Sequence, residues 1–212
     1  ASIEKGTEMR LFILGATGGI GRHLVRIGLE AGHEVTAFVR SPNKIVQRSP
    51  RLHVVQGDLF NVEQMSQSLI GHEAVLSAFG PTAIRSSSLR RKFGRALAQS
   101  LRKSNVKRVE LVSAAFLFPH IGALAWVLTR TLFRQMAPDM AGMEREIMQN
   151  DFEWTVVRPP RLTNGSANRA YRVMDEDLPE GGRVISRAEV AEFMIGEAQH
   201  PAHIHHIVGV SR

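Results

Sequence analysis

The chain reads as an α/β protein, a doubly wound parallel sheet with helices on both faces, and three observations predict it. Strand-length apolar runs alternate with segments of helical period, the strands are rich in Val, Ile, Leu and Phe with little polar alternation, and a glycine-rich turn follows the first of them. Near-continuous apolar strands signal burial on both faces, which a parallel sheet covered by crossover helices provides.

The elements follow in order. "RLFILGA" is the first strand, a helix runs from about Gly19 to Ala31, and "EVTAFVR" and "LHVVQGD" are the next two strands. A helix from about Val62 to Leu69 leads to "EAVLSAFG", and one from about Ser87 to Ser104 leads to "RVELVSAAF". A helix at about Asp139 to Asn150 precedes "WTVVRPP". In the helix near 87–104, Leu89, Phe93, Ala96, Leu97 and Leu101 recur at steps of three and four and form the expected buried stripe, with most of its arginines and lysines opposite. The remainder is expected to form a small C-terminal extension on the substrate side.

Composition narrows the function. The 212 residues suit one sizeable domain, taken as 9–212, with residues 1–8 read as an expression remnant or frayed end. Hydrophobic residues make up 43% and charged residues 22%, values that exclude a disordered or membrane-embedded chain. There is no cysteine, hence no disulfide, thiolate metal site or cysteine nucleophile. With no signal-peptide pattern, a cytoplasmic location is expected. The net charge of +7 is concentrated: between Ala74 and Pro138 the only acidic residue is Glu110. The basic segment 85–108 would favour an anionic partner if it is not simply a solvated helix face. "FLFPHIGALAWVLTRTLF", 116–133, is broken by Pro119, His120 and Arg130 and is too short to span a bilayer. It is expected to be a lid over a site, with peripheral membrane contact through Trp126 as the alternative.

"GATGGIG" carries the chemistry. Gly15, Gly18 and Gly21, with the extra Gly19, stand after a buried strand and at the mouth of a helix. Such a turn lets backbone amides approach a pyrophosphate, and the required strand, turn, helix and second strand all fall within about thirty residues. Gly15, Thr17, Gly18, Gly19, Ile20 and Gly21 are therefore the expected cradle of a dinucleotide in a Rossmann fold. At the end of the second strand, where Asp or Glu would accept from a ribose 2′-hydroxyl, stands Arg40, followed by Ser41 and Lys44. A guanidinium grips a 2′-phosphate that a carboxylate would repel, so NADPH is expected over NADH.

"GATGGIG", "VVQGDLFN", "VLSAFG", "RVELVSAAF", "WTVVRPP" and "RVISRAEVAEFM" occur in an order that resembles the atypical short-chain dehydrogenase/reductases of the NmrA-like, NAD(P)-binding type. The resemblance runs from Met9 to about Val210 and is nearest the biliverdin-IXβ reductase, or NADPH flavin reductase, branch. It implies that Asp58 and Leu59 flank the adenine, that Ala78, Phe79 and Gly80 line the cofactor, and that Ser113 faces the nicotinamide with Pro159 alongside. Most of that superfamily uses a Tyr-x-x-x-Lys pair for proton transfer. Aligning on Glu144 puts Met136 and Met140 at those places, and the only tyrosine, Tyr171, lies far downstream with no lysine at that spacing. Where the flavin-reductase branch commonly has a histidine after the double proline, this chain has Arg161.

Two functions remain open at this level. One is an NADPH-dependent reductase of a flavin (FMN or FAD), quinone or other conjugated, anionic or aromatic acceptor, with Ser113 and Arg161 as the catalytic-site residues orienting it. The other is a non-catalytic NADP(H) sensor acting through a protein or nucleic-acid partner, with direct DNA binding disfavoured for want of a recognition pattern. A monomer and a homodimer fit equally. No metal is expected: "HPAHIHH" gathers His200, His203, His205 and His206, with Glu197 nearby, but reads as surface histidines near a C-terminal strand.

Overall fold

The computed structural model describes residues 7–80, 88–119, 136–168 and 170–212. An eight-stranded sheet is built from β1 (Arg10–Leu14), β2 (Glu34–Val39), β3 (Leu52–Gln56), β4 (Ala74–Ser77), β5 (Arg108–Val112), β6 (Glu153–Arg158), β8 (Arg172–Asp175) and β10 (His206–Ser211). Their order is β3-β2-β1-β4-β5-β6-β10-β8. All neighbours are parallel except β8, which runs antiparallel to β10. Of the expected C-terminal extension only a parallel pair, β7 (Arg161–Thr163) and β9 (Val184–Ser186), stands apart as a sheet of its own; β8 and β10 join the main sheet instead. The order reverses between β1 and β4, and a doubly wound sheet leaves its ligand crevice at such a reversal.

Alternation along each strand supplies two cores. Leu11 and Ile13 of β1 join the core under α1 (Gly19–Glu30) and α5 (Arg187–Gln199), whereas Phe12 and Leu14 join the core under α2 (Val62–Leu69), α3 (Leu89–Ser104) and α4 (Met136–Met148). β3 departs from the expected double burial: it is the sheet edge, and His53, Val54 and Gln56 are exposed there. The helix expected from about Asp139 begins at Met136, three residues earlier. Pro138 is tolerated in that first turn because amides there have no intrahelical partner to lose. The run 116–133 falls largely among residues outside those described, and so does its expected lid role. Among the described residues no helix is long and apolar enough to cross a membrane.

The α3 stripe holds for Phe93, Ala96, Leu97 and Leu101, while Leu89 is 37% exposed. Arg90 is an exception to the expectation that most of the basic residues face outward. It is buried, with its guanidinium 3.7 Å from the Asp139 carboxylate. The same carboxylate accepts hydrogen bonds from the backbone N–H groups of Arg90 and Arg91, at 3.1 and 3.0 Å. The helix has no side-chain cap of its own at Ser88, so α4 caps α3 from outside the local sequence.

A second buried cluster ties β5 to α5. Arg108 donates to Glu110 (3.2 Å), Glu197 (3.1 Å) and Thr155 (2.9 Å), and Glu197 also accepts from the backbone N–H of His203 (2.8 Å). Two carboxylates thus share one guanidinium. Burial pushes the Glu110 carboxyl well above the usual carboxylate range; Arg108 pulls it down and the Glu197 charge adds to the rise.

These contacts generate two expectations. Asp139→Ala removes the cap and leaves Arg90 buried without its counter-charge, so urea unfolding should show a loss of roughly 3–5 kcal/mol; a loss under 1 kcal/mol would contradict the assignment. For Glu110 the folded state holds a proton that the unfolded chain releases above the ordinary carboxyl range, so this contribution to stability is present at low pH and lost as pH rises toward the raised folded value. Glu110→Gln should therefore flatten the decline in stability as pH rises above the ordinary carboxyl range, relative to the wild type, read from denaturant midpoints at each pH.

Candidate functional site

The turn after β1 is shaped by contacts that leave no room for side chains. Gly15 has φ +78°, and a Cβ there would lie 2.6 Å from the Ala78 carbonyl oxygen at the end of β4. A Cβ on Gly21 would overlap the carbonyl oxygen of Gly15, so the third glycine lets α1 start directly against the turn. The Gly18 N–H donates to the Gly15 carbonyl at 2.8 Å and closes the turn. β1, β4 and the start of α1 consequently meet at one point.

A cavity of about 730 Å³ opens at that point, over the C-terminal ends of β1, β2 and β4. Gly15, Thr17 and Gly18 form its floor, Arg40 and Lys44 one end, and Asp58, Leu59, Ala78, Phe79 and Gly80 the walls. The structure thus brings nine of the expected cofactor residues together around one space. Ile20 and Gly21 do not face it: Ile20 is buried in the core and Gly21 packs on the turn itself. Gly19 is also absent from the lining. Phe79 both lines the cavity and stacks on Phe93, ring centroids 4.4 Å apart. One Asp58 carboxylate oxygen accepts from the Phe60 N–H at 3.0 Å, so this residue shapes the loop as well as the wall.

The cavity is electropositive at its β2 end. Arg22, Arg40 and Lys44 lie in its lining with Asp58 the one carboxylate there. The Arg22 Nε donates to the Thr17 carbonyl at 3.1 Å, which leaves its terminal N–H groups available. Neither Arg40 nor Lys44 makes an ion pair among the described residues.

Ser113 and Pro159 are brought together beyond the ends of β5 and β6. The Ser113 N–H donates to Val157 at 2.8 Å and the Ala115 N–H to Pro159 at 3.0 Å. The Ser113 hydroxyl oxygen is buried and has no hydrogen-bond partner among the described residues, an unmet demand of the kind expected at a ligand position. Neither residue lines the 730 Å³ cavity. Arg161 is exposed at the start of β7, with its N–H on the Arg183 carbonyl at 3.3 Å, and it too stands outside that lining.

Met140 is buried and Met136 partly buried on α4, and a turn later the Glu144 carboxylate accepts from Arg158 at 2.6 and 3.0 Å. The Arg158 guanidinium also lies over the Phe118 ring, 4.9 Å from its centroid. Tyr171 belongs to the core under α1 and α5, edge-on to Phe193 at 6.2 Å, and is not in the cavity lining.

Part of the basic segment is paired with carboxylates. Arg91 and Arg95 reach Glu146 at 3.4 and 3.1 Å, Lys103 reaches Glu63 at 2.6 Å, and Arg90 and Arg108 are paired as above. Arg85 lies outside the described residues. The His203 and His206 rings meet edge to face with centroids 6.5 Å apart, but the ring nitrogens are taken up separately: His203 meets Asp175 at 2.7 Å, while His205 and His206 bond to the backbone of Phe152 and Ile204. β10 starts at His206, and His205 has φ 61°, so His203 and His205 do not share a strand face. Among the described residues no three His, Asp or Glu side chains are grouped to hold a metal ion.

Sequence reasoning missed Arg22, Phe38, Val39, Phe60 and Leu89 as lining residues. Arg22 carried a signal, since it follows the third glycine of the turn. The apolar ones carried none, because Phe38 and Leu89 fit equally well into a buried stripe.

Comparison with known proteins places this geometry in a lineage. The family described as NAD(P)H-binding matches residues 15–201, which include the glycine turn and every residue of the cavity lining. The chain is similar to the uncharacterized protein YwnB of Bacillus subtilis, 26% identical over 206 residues that cover 92% of this chain and 94% of YwnB. Among solved structures it resembles a candidate NADH-flavin reductase of Streptococcus pneumoniae, with 25% identity, TM-score 0.79 and coverage of 96% and 99% of the two chains. It also shares the fold of a wide-type short-chain dehydrogenase/reductase from Veillonella parvula solved with NADP, with 21% identity, TM-score 0.76 and coverage of 96% and 94%. With a strand-order reversal, a glycine turn and a cation-rimmed cavity all inside the matched span, this chain belongs to the NAD(P)H-binding family and has its Rossmann-like fold.

Proposed function

We propose that the protein is an NADPH-dependent reductase that delivers hydride to a flavin, quinone or similar conjugated acceptor without a tyrosine–lysine pair. The observation that carries the reading is the pairing of a cation-rimmed dinucleotide cavity with a buried Met140 where a proton-transfer lysine would stand. When bound, NADPH supplies the hydride, and a conjugated ring takes it at a ring atom with its proton from water. The residues present fit that group: the Gly15–Gly18 turn can take the pyrophosphate, and Arg40 with Lys44 can take the 2′-phosphate.

Under this reading the protein's own work is positioning. The buried Ser113 hydroxyl is free to hold the carboxamide end of the nicotinamide, and Arg161 provides an exposed positive group for an anionic acceptor. The alternative, a sensor without catalysis, shares the cavity and the methionines. Its second support is weakened, because Arg90, Arg91, Arg95, Lys103 and Arg108 already have carboxylate partners.

Three measurements bear on the reading. Absorbance at 340 nm should show steady NADPH oxidation with FMN or a quinone, and tight NADPH binding with no turnover over a panel of such acceptors would replace the reductase by the sensor. Arg40→Glu should weaken NADPH binding about a hundredfold, or ~2.7 kcal/mol, while sparing NADH; an unchanged preference in fluorescence titrations would remove Arg40 from the phosphate site. Ser113→Ala should lower kcat/KM about tenfold, the worth of one hydrogen bond of ~1.4 kcal/mol, with the Kd for NADPH within about twofold of wild type.

A further inference from the structure

Against the side of α1 that carries Arg22, His23 and Arg26 lies a second concavity of about 360 Å³, completed by Gln47, Asn164 and Arg187. Its walls come from α1, the loop after β2, the segment after β7 and the first residue of α5. Three guanidinium groups and an imidazole converge there, and no carboxylate is in the lining.

The arginines are fixed by contacts that leave donors over. Arg187 donates through Nη1 to the Asn164 side chain at 2.7 Å, and Arg22 through Nε to the Thr17 carbonyl at 3.1 Å. Arg26 spends Nη1 on Glu30, at 2.9 and 2.7 Å, and keeps Nε and Nη2. The backbone at Arg187 is held by a capping box, in which Ser186 and Glu189 exchange hydrogen bonds. Its side chain lies across Gly19, where a Cβ would stand 2.6 Å from Cδ and 2.7 Å from Nε. The fourth glycine of "GATGGIG", surplus to the dinucleotide turn, is what admits Arg187 to this position.

We propose that this concavity is a phosphate-binding site separate from the dinucleotide cavity, with Arg187, Arg26 and Arg22 as its donors. Donors arriving from α1 and α5 surround a tetrahedral oxyanion better than a planar carboxylate, which two donors on one side would satisfy. The local potential agrees. Burial holds the His23 imidazole below its ordinary pKa, and the charges of Arg26 and Arg187 lower it further, as in a site arranged for an anion. Arg22 lines both cavities, so an anion here shares one cation with the bound dinucleotide. The phosphate is either free or the terminal group of an acceptor such as FMN.

The test is an NMR titration of the His23 ring in protein saturated with NADP+, using inorganic phosphate as the probe. A saturable shift with a rise in the His23 pKa is expected. Arg187→Gln and, independently, Arg26→Gln should each weaken binding at least about tenfold, the cost of one charge-assisted contact, whereas Arg145→Gln on α4, outside the lining, should leave it unchanged. FMN and riboflavin separate the two sources: an Arg187-dependent excess of FMN over riboflavin assigns the acceptor's phosphate, and a response to inorganic phosphate alone assigns the free anion. The site is overturned if neither inorganic phosphate nor FMN gives a saturable shift at NADP+ saturation, or if both folded variants bind as the wild type does. The phosphate titration needs no turnover, so it reads the same whether or not the reductase assay succeeds.

Discussion

The contact between Gly15 and the end of β4 is the constraint on which the rest of the molecule depends. β1 and β4 are neighbours although two strands and two helices separate them in the chain, and the crossing brings the Ala78 carbonyl within reach of any side chain at position 15. Only glycine takes both the positive φ and the close approach. The Gly15 carbonyl then receives Gly21, which sets the start of α1, and the cavity is the space left where strand order reverses.

Around this point, ion pairs place the helices that no local signal would place. Asp139 of α4 caps α3, Glu144 of the same helix holds Arg158 at the end of β6, and Arg108 draws Glu110 and Glu197 together between β5 and α5. Each pair is buried, so its partners cannot be exchanged for water without a large desolvation cost. They link helix position to the rim of the site, since α3 reaches the cavity through Leu89 and β6 leads into Pro159. Of the basic stretch of α3, Arg90, Arg91, Arg95 and Lys103 are answered by Asp139, Glu146 and Glu63.

The four glycines of one seven-residue turn divide their labour. Gly15 and Gly21 build the turn, Gly18 faces the dinucleotide cavity, and Gly19 makes room for an arginine that comes from far along the chain. The last of these roles leaves no mark in the motif, because a pattern of glycines records where side chains are excluded and not what excludes them.

The succession of strands and helices, the parallel pairing and the place of the glycine turn were legible from Leu11 to Arg40 and from the alternation that follows, because periodicity and glycine spacing are local and repeat. Thr17, Arg40, Asp58, Leu59 and Phe79 were likewise named in advance and meet in one cavity. Tertiary structure alone decided that Arg90 is buried, that β3 is an exposed edge, that Arg22 turns toward the cavity and that Arg187 lies against Gly19. The physical reason is common to all four: each depends on which group from a distant element fills the space or answers the charge, and that partner is chosen only when the sheet has closed and the helices have packed.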